Sequence, residues 1–156
     1  MQQLKKITCG ETLDFRKQLD KTKFLASGFS SPEKWGTWTI GDKAILKFIY
    51  HPGPCIGISL KLTLSAFVHS KNKRILSFAQ LNGYLLGKLN FVYKGQANIK
   101  PQSYSLKIPN AYILPDKINA VKFTIRGAQS PYNLGLSGDK RVLGLAFTRM
   151  DFEEEI

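Results

Sequence analysis

From about residue 10 onward, apolar and polar residues alternate in short runs broken by turn chemistry. The clearest run, residues 56–67, puts Ile56, Ile58, Leu60, Leu62, Leu64 and Ala66 on one side and Ser59, Lys61, Thr63 and Ser65 on the other. A period of two sustained over eleven residues makes one face of a strand, whereas a helix would scatter the same residues around its circumference. Residues 44–50 repeat the pattern, residues 103–108 place Tyr104, Leu106 and Ile108 together, and residues 120–126 do the same for Val121, Phe123 and Ile125. Further strands are predicted at 75–81, 84–93 and 141–152.

The breaks between these runs have their own chemistry. The prolines of His51-Pro52-Gly53-Pro54 forbid ladder continuation, and Ser70-Lys71-Asn72-Lys73 makes a second turn. Asn82-Gly83 supplies a hairpin in which both residues take positive φ. No amphipathic helix of ten residues is present, the nearest candidate being two turns over 15–22. Many short strands with Gly, Pro and Asn turns predict an all-β fold, an antiparallel two-sheet β-sandwich of jelly-roll-like kind. It is read as one domain over 1–156 with its core at about 10–152.

Composition changes this picture in two places. At 156 residues the chain is long enough to bury a core without staples, so Cys9 and Cys55 are expected as two free, buried thiols, although one disulfide is geometrically possible. Neither cysteine sits in a CxxC pair and there are only two histidines, so no zinc site and no cofactor is expected. No apolar stretch approaches membrane-spanning length, and the basic start lacks the apolar run of a signal peptide. The chain is therefore expected to be cytoplasmic as synthesised, with export by a signal-less route left open.

The second change is charge. The chain carries 23 Lys and Arg against 11 Asp and Glu, a net +12, and four of the acids lie in the last six residues. Such a surface attracts polyanions such as nucleic acid, anionic lipid or acidic polysaccharide, and the basic turn with Lys71, Lys73 and Arg74 is the local candidate for that contact. No nucleic-acid motif accompanies it.

Two segments carry candidate binding chemistry. Gly28-Phe29-Ser30-Ser31-Pro32-Glu33-Lys34-Trp35-Gly36-Thr37-Trp38 holds both tryptophans of the protein. On a strand their odd spacing sends the two indoles to opposite faces unless Gly36 bulges, so at most one belongs in the core. An exposed indole suits stacking on the apolar face of a sugar ring. The second segment, residues 129–145, is dense in Gly, Asn, Ser and Asp and leads into the last strand. Within it Asp139 and Arg141 are placed to pair, to bind hydroxyls, or to hold the loop's own backbone.

Together these segments resemble an accessory domain found beside bacterial glycosyltransferases and sugar-modifying enzymes of surface-polysaccharide synthesis. The resemblance rests on G-F-S-S-P-E-K-W-G-T-W at 28–38 and S-P-Y-N-L-G-L-S-G-D-K-R-V-L-G at 130–144, with the Leu81-Asn82-Gly83 hairpin and the strand ending at Pro109 between them. It implies a sandwich similar to carbohydrate-binding modules, working in or near glycan assembly. The strong positive charge departs from that pattern.

Catalysis fails an inventory. Neither His51 nor His69 lies in a nucleophile motif, and Glu33 with Asp139 is the only carboxylate pair in suggestive loops before the acidic tail. The reading is a non-catalytic glycan-binding or glycosyltransferase-associated module, with Trp35, Trp38, Glu33, Asn82, Asp139 and Arg141 as ligand residues. Polyanion binding through the basic turn and a protein-interaction adaptor are the alternatives.

Overall fold

The computed structural model describes residues 4, 6–17, 25–95 and 100–155. Eleven strands are present among them: β1 (Lys6–Ile7), β2 (Thr12–Asp14), β3 (Leu25–Ser27), β4 (Thr37–Ile40), β5 (Lys43–Tyr50), β6 (Ile58–Ala66), β7 (Arg74–Leu81), β8 (Tyr84–Val92), β9 (Gln102–Ile108), β10 (Ile118–Arg126) and β11 (Leu143–Glu154). They form two sheets. The first runs β1-β5-β10-β7-β8, with β3 sharing the β5 edge; the second runs β2-β11-β6-β9, with β4 sharing the β11 edge. All pairings are antiparallel except β1 with β5. The only helical piece among the described residues is one 3-10 turn at Asn110–Tyr112, and no helix there is long and apolar enough to cross a membrane.

The two sheets stack because the alternation gives each one apolar face. On β6, Ile58, Leu60, Leu62, Leu64 and Ala66 are all buried, and on β10 so are Val121, Phe123 and Ile125. Full burial of one such side chain contributes about 1.5–3 kcal/mol. Phe15, Phe29, Phe123 and Phe147 meet in the core with ring centroids 5.0–6.0 Å apart, and Phe48 sits 5.2 Å from Phe152. The Asn82-Gly83 turn joins β7 to β8 with φ of 52° and 86°, the positive values a two-residue hairpin requires.

Two expectations fail. Ile56 does not continue the buried face of β6; it is 88% exposed, because the strand begins only at Ile58 and the preceding residues belong to a loop. The cysteines are neither free nor buried. Cys9 and Cys55 form a disulfide with both residues half-buried. The cause is topological: β1 lies parallel to the end of β5, with Ile7 opposite Tyr50, so the residues that follow each strand emerge side by side. Their Cα atoms are 6.3 Å apart, within bridging range. The two-turn helix expected over 15–22 falls partly outside the described residues; Phe15–Lys17 form a turn in which the Lys17 amide donates to the Asp14 carbonyl.

The disulfide joins residues 46 apart, so its removal should cost about 2–4 kcal/mol through the freedom regained by the unfolded chain. Urea melts of wild type and the Cys9→Ser/Cys55→Ser variant measure this, and equal midpoints would show that the bridge is not formed. A smaller effect of opposite sign is expected at Ser77, whose buried hydroxyl on β7 has no hydrogen-bond partner. Ser77→Ala should be neutral or stabilising by about 1 kcal/mol, read by the same melts.

Candidate functional site

The early and late segments singled out in the sequence meet in space, and Arg141 joins them. Its Nε and Nη2 donate to Asp139 at 2.8–3.2 Å, and its backbone amide donates to Asp139 Oδ1 at 3.0 Å. Its Nη1 reaches back across the fold to donate to Ser30 Oγ at 2.9 Å and to approach Glu33 Oε2 at 3.6 Å. The Arg141 guanidinium and amide hold the Asp139 carboxyl below the usual aspartate range, and Asp139 raises the arginine in return. The i, i+2 spacing allows this because the Asp139 carboxylate closes a turn onto the Arg141 amide, which brings the arginine side chain beside it.

Trp35 and Trp38 do not point to opposite faces. A two-residue turn closes between Glu33 and Gly36, whose backbones exchange hydrogen bonds at 2.7 and 3.2 Å, so Trp35 sits at a turn rather than on a strand. Gly36 makes this possible. Its φ is +153° and a Cβ there would lie 2.2 Å from the Phe147 carbonyl oxygen, so no larger residue fits. The two indoles pack edge to face, with centroids 5.1 Å apart, and Trp38 meets Phe67 in the same way at 6.1 Å. Trp38 is half-buried on the outer face of β4, whose inward side chains are Thr37 and Thr39. Those hydroxyls are satisfied: Thr37 donates to the Phe15 carbonyl, and Thr39 accepts the Leu145 amide at 2.8 Å. Trp35 stays 38% exposed, an indole braced on one side and open on the other.

Asn82 lies elsewhere. It sits at the tip of the β7–β8 hairpin beside the start of β10, whereas the Arg141 loop leaves from the far end of β10. Its amide donates to the Tyr112 carbonyl and to Asn119 Oδ1, both at 2.8 Å, and its Oδ1 accepts the Ala120 amide at 2.9 Å. With a turn to hold and these partners, Asn82 is a structural residue, and it does not join the tryptophans. In the basic turn, Lys71 Nζ donates to the Leu134 carbonyl at 3.3 Å, and Arg74 Nε donates to Asn90 Oδ1 at 2.9 Å. Lys73 lies next to them, its carbonyl accepting the Tyr93 amide at 2.8 Å.

The sequence reading missed a second polar group on the same outer face of the second sheet. Arg149 Nη2 donates to Asp151 Oδ1 at 2.8 Å and lies 3.4 Å from Thr12 Oγ1, while the Thr12 hydroxyl also donates to Asp151. Burial alone would raise the Asp151 carboxyl, but the hydrogen bonds from Arg149 and Thr12 outweigh it and hold the group low. Thr148, the residue before Arg149, donates through Oγ1 to the Trp35 carbonyl at 3.4 Å. The overlooked signal is a spacing read only at Asp139 and Arg141: Asp14 with Arg16 and Arg149 with Asp151 are also two apart, and all three are paired. A hollow of about 230 Å³ lined by Asn90, Lys94, Lys100, Gln102 and Tyr104 opens at the β8 and β9 edge, and Ser65 of β6 in its wall lies on the other side of Ala146 from Trp38.

Among solved structures, the chain is similar in fold to part of a glycoside hydrolase family 43 arabinoxylan arabinofuranohydrolase from Bacillus subtilis, solved with cellotetraose. The TM-score is 0.50 at 12% identity, over 99% of this chain and 28% of that one. The chain thus spans little more than a quarter of the enzyme's length. Two carbohydrate-binding modules are also similar: one of family 6 (TM-score 0.49, 12% identity, 97% of this chain and 98% of that one) and one of family 35 from Clostridium thermocellum (0.47, 8%, 90% and 97%). At these identities the likeness is one of fold. No protein-family profile matches the sequence, and no curated protein matches it.

The Arg141 clamp has a pH signature. Because Asp139 titrates lower in the folded protein than in the unfolded chain, its stabilisation is complete above the unfolded pKa of about 4. It is lost as pH falls through the lower folded value. Asp139→Asn should therefore remove part of the acid limb of a melting-temperature profile below about pH 4, by no more than about 1 kcal/mol for so accessible a pair. Asp14 and Asp151 are held low in the same way and keep the remainder. An unchanged acid limb in Asp139→Asn would mean that the clamp does not form in solution.

Proposed function

We propose that this chain is a non-catalytic glycan-binding module and that it works beside enzymes of polysaccharide assembly. The observation that carries the reading is the Trp35 indole, braced edge-on by Trp38 and open to solvent on the outside of a sandwich. A flat aromatic surface of this kind takes the C–H face of a sugar ring, and ring–ring bracing fixes its orientation before the ligand arrives. Glu33 precedes it by two residues in the same turn, and Arg141 anchors that turn to the late loop. One supplies acceptors and the other donors for sugar hydroxyls, the pairing that orients a carbohydrate on an apolar platform. The fold supports the reading to the extent that it is shared with part of an enzyme solved with cellotetraose.

The same constellation argues against catalysis. Paired hydrogen bonds from Arg141 hold the Asp139 carboxyl low, the opposite of the raised-pKa acid that protonates a glycosidic oxygen, and Glu33 faces the same guanidinium at 3.6 Å. The disulfide favours a working site in an oxidising compartment, where a surface polysaccharide would also be found.

Glycan-array binding followed by titration of the best ligand tests the reading. Trp35→Ala should weaken binding about tenfold or more without changing the circular-dichroism spectrum. Trp38→Ala should lower stability as well, since Trp38 supports both Trp35 and Phe67. Undiminished binding by Trp35→Ala, or no ligand across neutral and acidic glycans, would remove the proposal.

A further inference from the structure

Six of the 23 basic residues gather on the outer face of the first sheet without acidic neighbours among the described residues. Strand register identifies the outward residues of the first sheet: Lys43 and Lys47 on β5, Lys122 and Arg126 on β10, Arg74 on β7 and Lys88 on β8. Among the described residues, no Asp or Glu shares these outward positions and none of the six cations forms an ion pair with a carboxylate. The outer face of the second sheet is the opposite case. There Arg149 pairs with Asp151, Lys61 lies 3.9 Å from Glu153, and Lys107 lies 3.2 Å from Glu155.

The arrangement of the cations is two-dimensional. Lys47 lies opposite Ala120, Lys122 opposite Ile45 and Gln80, Lys88 opposite Phe78, and Arg126 opposite Leu76. With strands about 4.8 Å apart and alternate residues nearly 7 Å apart, the six cover a patch of roughly 15 by 27 Å. The same face leaves Leu85 and Ile118 each 56% exposed and Val92 41% exposed. Arg74 and Arg126 flank a hollow of about 240 Å³ whose remaining walls are Leu76 and Gly127. Two guanidinium groups over an aliphatic floor suit a phosphate ester attached to an apolar body.

We infer that this face docks on an anionic phospholipid bilayer. A flat array of cations with exposed aliphatic side chains matches a charged planar surface over its whole area, while a linear polymer would engage only one file of it. Single-stranded nucleic acid would need an exposed aromatic platform, and the one aromatic ring facing outward from this sheet among the described residues, Phe78, is half-buried with the Arg126 guanidinium 5.4 Å above its centroid. Docking by this face turns the outer face of the second sheet, with Trp35 and Trp38, away from the bilayer. The inference stands whether or not those indoles bind sugar.

Vesicle sedimentation with the intact chain is the test. Vesicles of phosphatidylcholine containing about a third phosphatidylglycerol should bind the protein, and pure phosphatidylcholine vesicles should not, with binding falling as salt rises. Each cation near a charged surface is worth about fivefold in partitioning, so Lys47→Gln/Lys122→Gln/Arg126→Gln should lose roughly a hundredfold. Lys34→Gln/Lys107→Gln/Lys140→Gln, with the same net charge but changed away from this face, should lose only a few-fold. Melting curves confirm that both variants fold, and the wild-type comparison of the two lipid compositions stands without either. Equal losses in the two variants, equal binding to both vesicle types, or retention on heparin or an oligonucleotide with no binding to anionic vesicles would each overturn the inference.

Discussion

The last strand, β11, and the one-residue shift within it set the geometry of everything described above. Leu145 and Phe147 face the core on odd positions, whereas Met150 and Phe152 do so on even ones. A regular strand cannot bury both pairs, since a slip of one residue sends every side chain to the other face. The register shift between Phe147 and Arg149 resolves the conflict by adding a residue where the strand passes from one edge partner to the next, β4 before it and β2 after it. The extra residue, Thr148, meets the Trp35 backbone, and the Phe147 carbonyl fills the space where a side chain on Gly36 would sit. The position of the exposed indole is thus a consequence of core packing.

This dependence explains what could be read from the chain and what could not. Local pattern was enough for the two-sheet sandwich, for most strand limits and for the Asn82-Gly83 hairpin, because period-two alternation and turn chemistry are properties of neighbouring residues. The failures are non-local. The Cys9–Cys55 bridge follows from a two-residue parallel pairing whose partners lie more than forty residues apart, a contact that leaves no trace in either segment. Asn82 looked like a candidate hydroxyl binder because a polar residue in a turn is ambiguous, and its three partners, 30 to 38 residues away in sequence, appear only once β10 is beside it. Ile56 fits the alternation of β6 by residue type, yet the loop that carries Cys55 takes it out of the sheet.

Charge shows the same division between composition and topology. A net +12 says that polyanions will be attracted but not where. The basic turn drew attention because its three cations lie within four residues, yet Lys71 and Arg74 both have neutral hydrogen-bond partners. The larger concentration is invisible along the chain, since Lys47, Lys88, Lys122 and Arg126 come from three strands and become neighbours only through pairing. The acids are sorted by the same logic. Asp14 and Asp151 lie on the strands of the second sheet, each two residues from an arginine that neutralises it.

A sandwich has two outer faces, and here they differ in kind. One carries paired charges, hydroxyls and a braced indole; the other carries aliphatic side chains and cations with no carboxylate partner among the described residues. A single sugar ring stacked on one indole is held weakly, because little of its surface is covered and its hydroxyls exchange one set of hydrogen bonds for another. Retention at a surface changes that arithmetic, since a second contact becomes intramolecular once the first is made and its effective concentration rises into the millimolar range. Electrostatic adhesion through the first sheet would hold the indole of the second within reach of polymer anchored at the same surface. Neither contact would then need to be tight, which fits a site made of one open aromatic ring and a face made of solvated lysines.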